Sequence, residues 1–182
     1  MSNLSKVIFK LAGWRVNVTV TEPEKSVICV APHTSNWDFL VGKLAYWSMG
    51  KDASFLIKKS WFFFPMNIIF NAMGGVPIDR SKKNSVIQQM IETFESRAKL
   101  HLAITPEGTR SRTATWKTGF YYIAKGAGVP IQLAYLDYGK KEVGITKLFW
   151  PTDDEEKDLK EIKAYYANVT AKFPAKFHVD NH

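Results

Sequence analysis

The sequence predicts an α/β fold, a single-domain sandwich with a mostly parallel central sheet flanked by helices. Three observations predict it. Runs such as Ser26–Ala31 and Leu102–Thr105 have the near-continuous apolar character of strands covered on both faces. Stretches with apolar residues at helical spacing separate them. The two kinds alternate along a chain of 182 residues, a length suited to one domain with a sizeable core.

The elements follow in order. Leu4, Val7, Ile8 and Leu11 fall at i, i+3, i+4 and i+7, so residues 1–14 read as an amphipathic N-terminal helix ended by Gly13. That helix either packs on the domain or lies in a membrane interface with Trp14 at headgroup depth. Residues 15–20 alternate like an edge strand, and Ser26–Ala31 is an interior strand. Residues 37–49 form a helix with Trp37, Leu40, Val41, Leu44 and Ala45 on one face. Ser54–Ile57 is a strand, and the aromatic stretch from Lys58 to Phe70 follows, read as a buried helix pair broken at Pro65 or as a functional lip. Val76–Ile78 is a strand, residues 84–100 a helix with Met90 and Phe94 inward, and Leu102–Thr105 a strand. A helix over 117–126, strands over 129–135 and 141–149, and a last helix after Thr152 complete the domain, 15–175. The acids of that last helix crowd its N-terminus, where dipole and capping favour them. Residues 176–182 are expected to fray.

Composition narrows the classes. The lone Cys29 excludes an internal disulfide and reads as a buried thiol. Cysteine usage and the lack of a signal peptide point to an intracellular protein. No run approaches the apolar length of a transmembrane helix. The net charge is +8. Residues 1–151 carry 20 Lys and Arg against 10 Asp and Glu, and the remainder is net acidic. A basic body favours anionic partners such as phospholipid surfaces or phosphorylated cofactors. Nucleic acid is not expected, because no binding motif is present and the aromatics cluster in apolar runs apart from Lys and Arg.

Three blocks carry the chemistry. In the first, Ala31-Pro32-His33-Thr34-Ser35-Asn36-Trp37-Asp38, a histidine leaves the end of an apolar strand five residues before an aspartate. An imidazole takes a proton near neutral pH, and a carboxylate can fix its tautomer and stabilise its charge. Five residues along a helix span about 500°, so the two side chains meet only if His33 precedes the helix. The second block is Gly74-Gly75-Val76-Pro77-Ile78-Asp79-Arg80 and the third is Pro106-Glu107-Gly108-Thr109-Arg110. Two strand-end loops carrying arginine beside a histidine base suit transfer of a group onto a hydroxyl of an anionic substrate. The His, Cys and acid spacings match no common metal-ligand set.

Together the blocks resemble the glycerolipid acyltransferase family, whose type activity is acylation of 1-acylglycerol-3-phosphate. Its His-x4-Asp block is matched by His33 and Asp38, its Gly-led block by Gly74–Arg80, and its Pro-Glu-Gly-Thr-Arg block by Pro106–Arg110, with Thr105 where a Phe is usual. A fourth apolar block is matched at Val129-Pro130-Ile131-Gln132-Leu133, with Gln132 where a second Pro is usual. The resemblance implies an O-acyltransferase of phospholipid biosynthesis with His33 as base and Asp38 as its orienting partner. Arg80, Glu107, Gly108, Thr109 and Arg110 would bind the acceptor. The acyl donor would be acyl-CoA or acyl carrier protein, with no further cofactor. The acceptor would be a lysophospholipid, and the protein would sit peripherally on the anionic cytoplasmic face of a membrane, with Lys58–Phe70 as acyl channel or membrane lip. Another lipid acceptor, thioesterase or transacylase action, and a non-enzymatic membrane-binding module are the alternatives.

Overall fold

The computed structural model describes residues 2–79 and 86–179. Helix α1 (Ser2–Leu11) is followed by β1 (Arg15–Val18), β2 (Lys25–Ala31), α2 (Asn36–Ser48), β3 (Ser54–Lys58), α3 (Met66–Ala72), β4 (Gly75–Ile78) and α4 (Val86–Ser96). Then come β5 (Leu100–Ile104), α5 (Gly119–Ala127), β6 (Ile131–Asp137), β7 (Glu142–Phe149) and α6 (Glu155–Tyr165). The seven strands form one sheet in the order β1-β7-β6-β2-β5-β3-β4. All pairs are parallel except β6 with β7. The expected single-domain α/β sandwich is the observed fold.

Strand β2 lies between β5 and β6, and its alternation feeds two cores. Val27, Cys29 and Ala31 face α4, α5 and α6, where Met90, Phe94, Phe120, Tyr121, Ile162 and Tyr166 pack. Ile28 faces the opposite side with Tyr46, Ala134 and Ile145. On that side Phe9 of α1 packs with Ala45 of α2 and Leu136 and Val143 of the sheet. Burial on both faces explains the unbroken apolar run of β2.

The structure departs from the sequence expectations at four places. Helix α1 does pack on the domain, but through Ser5 and Phe9, leaving Leu4, Val7, Ile8 and Leu11 exposed. In α2 Val41, Leu44 and Ala45 of the apolar face pack beside Phe9 as expected, but Trp37 and Leu40 face out and Asp38, Lys43 and Tyr46 are buried as well. The apolar period misled there because the helix roofs a cavity as well as a core. The Lys58–Phe70 stretch is no buried helix pair: a 3-10 turn (Lys59–Trp61) and α3 contain no buried residue. At the C-terminus, Phe177 and Val179 pack against the main core, so residues 176–179 do not fray from the fold. Residues 180–182 lie outside the described residues.

Strand β7 depends on one glycine. Tyr135 of β6 pairs with Gly144 of β7, and its ring occupies the space a Cβ at 144 would need. The ring carries its hydroxyl to Glu142, which also binds Arg15 Nε at 2.7 Å, so the contact ties β1, β6 and β7 together. Gly144→Val is expected to cost about 1–3 kcal/mol by overpacking, read as a lowered thermal midpoint. An unchanged midpoint would show that the ring moves aside freely.

Candidate active site

In a parallel sheet, the loops at the carboxyl ends of neighbouring strands converge. Here β2 leads to His33, β5 leads to Glu107, and β6 leads to Tyr138. Helix α2 begins beside them. Ser35 caps it, accepting from the Trp37 N–H at 3.2 Å, and Asp38 at the third helical position accepts back from the Ser35 N–H at 2.7 Å. This reciprocal cap fixes Asp38 by local chemistry alone.

Asp38 is almost fully buried, and four donors surround it. The Thr34 and Ser35 N–H groups donate to Oδ2 at 2.7 Å each, and the Tyr138 hydroxyl donates to Oδ1 at 2.7 Å. His33 Nδ1 lies 3.5 Å from Oδ2. Burial works to raise the Asp38 carboxyl, but the bonds from His33, Tyr138 and the two backbone groups outweigh it and hold the group below its ordinary range. With Nδ1 turned to this carboxylate, Nε2 is the nitrogen left for proton transfer.

Glu107 lies on the other side of the same loop. Its Oε1 accepts the His33 backbone N–H at 2.8 Å, while Oε2 is buried with no hydrogen-bond partner. Burial raises this carboxyl, against the lowering effect of the His33 N–H. No ion pair joins Glu107 to Arg110 among the described residues. Gly108 has φ +61°, and a Cβ there would meet Lys117 at 2.8 Å, so this turn requires glycine. Thr109 accepts the Ser111 N–H at 3.2 Å, a bond internal to the exposed turn.

One cavity of about 600 Å³ lies at the His33–Asp38 pair, and Glu107 is not on its wall. His33, Asp38 and Arg110 line it, together with a largely apolar wall that includes Ile28, Phe39, Phe55 and Leu56. Phe70 and the exposed Trp61 also line it, and Phe63, Phe64, Ile68 and Ile69 are exposed. The aromatic stretch is therefore a rim with one inward and one outward side. Gly108 and Thr109 are not on the cavity wall. Arg80 lies outside the described residues. Its neighbour Asp79 is clamped by Gln89, whose amide exchanges two hydrogen bonds with the Asp79 backbone.

Residues 15–135 match the family model described as Acyltransferase. The chain belongs to the acyltransferase family. The fold of this acyltransferase is similar to the crystal structure of the 1-acyl-sn-glycerophosphate (LPA) acyltransferase PlsC from Thermotoga maritima. The two share 19% identity at a TM-score of 0.56, over 93% of this chain and 80% of that one. No curated protein matches the chain significantly. Among the described residues no helix is long and apolar enough to cross a membrane, and no group of three metal-ligating side chains occurs.

Sequence reasoning missed Tyr138, although its place just after a parallel strand neighbouring β2 was a usable signal. It also missed the C-terminal segment. The Phe173 N–H donates to Thr34 Oγ1 at 3.3 Å, and Lys172 Nζ lies 4.9 Å from the Trp37 ring centre. No local pattern announces that return.

Glu107 generates a test. A carboxyl raised by folding binds more protons folded than unfolded. Its ionisation therefore costs stability as pH climbs from the ordinary glutamate range through the raised value. Glu107→Gln keeps the acceptor for His33 and removes the charge. It is expected to melt at least as high as the parent at neutral pH, with a shallower loss across that window. Glu107→Ala strands the His33 N–H and is expected to lose about 1–3 kcal/mol. If thermal melts put the Gln variant as low as the Ala variant, the charge and not the acceptor holds the loop.

Proposed function

We propose that this acyltransferase moves a fatty acyl group from an acyl thioester to a hydroxyl of a lysophospholipid such as 1-acylglycerol-3-phosphate, with His33 as general base. The observation that carries the reading is one cavity lined by the His33–Asp38 pair, by Arg110 and by a largely apolar wall. Its volume falls in the usual range for small-molecule sites, roughly 300–1,000 Å³. The PlsC enzyme that shares the fold is a 1-acyl-sn-glycerophosphate acyltransferase.

The alcohol is the nucleophile. His33 Nε2 takes its proton as the oxygen attacks the thioester carbonyl, and Asp38 stabilises the imidazolium that results. The tetrahedral intermediate collapses with cleavage of the C–S bond, and the imidazolium returns the proton to the departing thiolate. The products are the ester and a free thiol. Arg110, with Arg80 of the Gly74–Arg80 block, binds the acceptor phosphate through bidentate guanidinium contacts. Glu107 acts as a positioning residue by fixing the His33 backbone, and Gly108 and Thr109 shape the turn that presents Arg110. The donor is acyl-CoA or acyl carrier protein, each of which brings acidic groups that suit a basic surface.

Thiol release from palmitoyl-CoA and palmitoyl-acyl carrier protein, with lysophosphatidic acid, other lysolipids or no acceptor, tests this reading. Release is expected to depend on acceptor and to fall about 10²–10⁴-fold in His33→Ala. Release without acceptor would make the protein a thioesterase, and equal release from His33→Ala would remove the base.

The protein is also proposed to bind an anionic membrane peripherally. Leu4, Val7, Ile8 and Leu11 on α1 and Phe63, Phe64, Ile68 and Ile69 at the cavity rim expose apolar side chains, with Lys58 and Lys59 beside the rim. Sedimentation with anionic vesicles at low salt is expected, with partial release by salt. A protein that stays in the supernatant at low salt would rule out both surfaces as membrane contacts.

A further inference from the structure

Asp38 divides its partners between its two oxygens. Oδ2 accepts the Thr34 and Ser35 N–H groups at 2.7 Å each and lies 3.5 Å from His33 Nδ1. The cap of α2 is complete with these bonds and that of Ser35. Oδ1 accepts the Tyr138 hydroxyl at 2.7 Å, a bond that belongs neither to the cap nor to the His33 ring. Tyr138 itself is not on the wall of the cavity that His33 and Asp38 line. Any effect it has on chemistry there passes through Asp38.

The tyrosine is held in place in its turn. Its backbone N–H donates to the Thr170 carbonyl at 2.8 Å. Its ring meets Trp14 nearly at right angles with centroids 5.0 Å apart, and Lys172 Nζ lies 5.7 Å from the ring centre. Burial and the Asp38 charge push the phenol above its ordinary range, so it stays protonated and remains a donor. A phenol fixed in this way acts on the carboxylate twice. Rotating the carboxylate would cost a charge-assisted hydrogen bond, which keeps Oδ2 toward Nδ1. The phenol also draws charge to Oδ1, so less is left to hold a proton on the imidazole. A base that takes a proton from an alcohol and returns it to a thiolate is served by both effects. The other ionisable groups around the pair are Glu107 and Arg110 from the loop after β5, Lys43 and Lys58 among the residues lining the cavity, and Lys172 over the Trp37 and Tyr138 rings. None of them is hydrogen-bonded to Asp38.

We infer that Tyr138 is a positioning residue for the reaction, whose hydroxyl aims the Asp38 carboxylate at His33 and limits how tightly that carboxylate retains the imidazolium proton. The inference rests on the acyl-transfer reading of the His33 site.

The test uses Tyr138→Phe, which removes the hydroxyl and keeps the ring against Trp14 and Lys172. With a thioester and lysolipid pair that the parent turns over, kcat is expected to fall roughly three- to thirtyfold, with KM for both substrates unchanged. The acid limb of the kcat/KM profile should move to higher pH by about 0.5–1 unit, because an unshared Asp38 charge holds the imidazolium more tightly. Replacing Tyr138 with 3-fluorotyrosine, a stronger donor of the same shape, should keep the fold and move the limb the other way. A second readout needs no transfer: NMR titration of the His33 imidazole, assigned by its loss in His33→Ala, should follow the same two directions. If no thioester releases thiol, the acyl-transfer reading falls, and the titration still decides whether Tyr138 governs the His33–Asp38 pair. A hydroxyl that merely satisfied a buried oxygen would lower the melting temperature of Tyr138→Phe and leave limb and titration where they are in both variants. That result, or a rise in KM with kcat unchanged, would overturn the assignment.

Discussion

A buried carboxylate organises this molecule. Asp38 is withdrawn from water as an anion, which is tolerable only with its oxygens fully hydrogen-bonded. Its donors come from the loop after β2, from the first turn of α2 and from Tyr138 after β6. Satisfying one charge therefore fixes the start of a helix, the end of two adjacent strands and the position of the His33 ring. The same geometry that solves the desolvation problem leaves one imidazole nitrogen available for chemistry.

The His33 loop is held from both sides by carboxylates in opposite environments. Asp38 has more donors than burial can offset and is kept ionised. Glu107 has one backbone donor on one oxygen and none on the other, and burial dominates. Two acids flank one histidine, and the number of donors each receives separates them. Only Asp38 meets the ring. Glu107 meets the backbone, so its influence on chemistry runs through where His33 sits. That contact with the loop follows from β2 and β5 being neighbours in the sheet.

The fold was legible because its rules are local. The apolar run of Ser26–Ala31 marks a strand covered on both faces, and acids before α6 mark a helix start. His33 and Asp38 could be paired because a histidine in the loop before the helix can reach a carboxylate in its first turn. What could not be read required three-dimensional closure. Tyr138 reaches Asp38 across 100 residues, and Phe173 reaches Thr34 across 139. Part of the buried face of α2 went unread for a physical reason. Hydrophobic periodicity identifies the face that packs, whereas Phe39, Gly42, Lys43 and Tyr46 line a space left open. Local rules fail where function requires them to.

That open space also accounts for the unusual way α2 is secured. A helix over a cavity lacks much of the packing that normally supports it. Compensation comes from its ends and its outer flank. At the N-terminus the Ser35–Asp38 cap and the Tyr138 hydroxyl hold it. Near the C-terminus Lys43 binds the Ala53 carbonyl, and the Trp47 indole donates to Asp52 at 3.0 Å. Along the flank, Phe9 of α1 packs on Ala45. Helix α1 is thus recruited by its minority apolar face, which turns the stripe of Leu4, Val7, Ile8 and Leu11 outward. The cavity and the exposed stripe are in this sense one feature. Keeping the space beneath α2 open demands a brace on its side, and a brace that grips with Phe9 presents its remaining apolar residues to the surroundings.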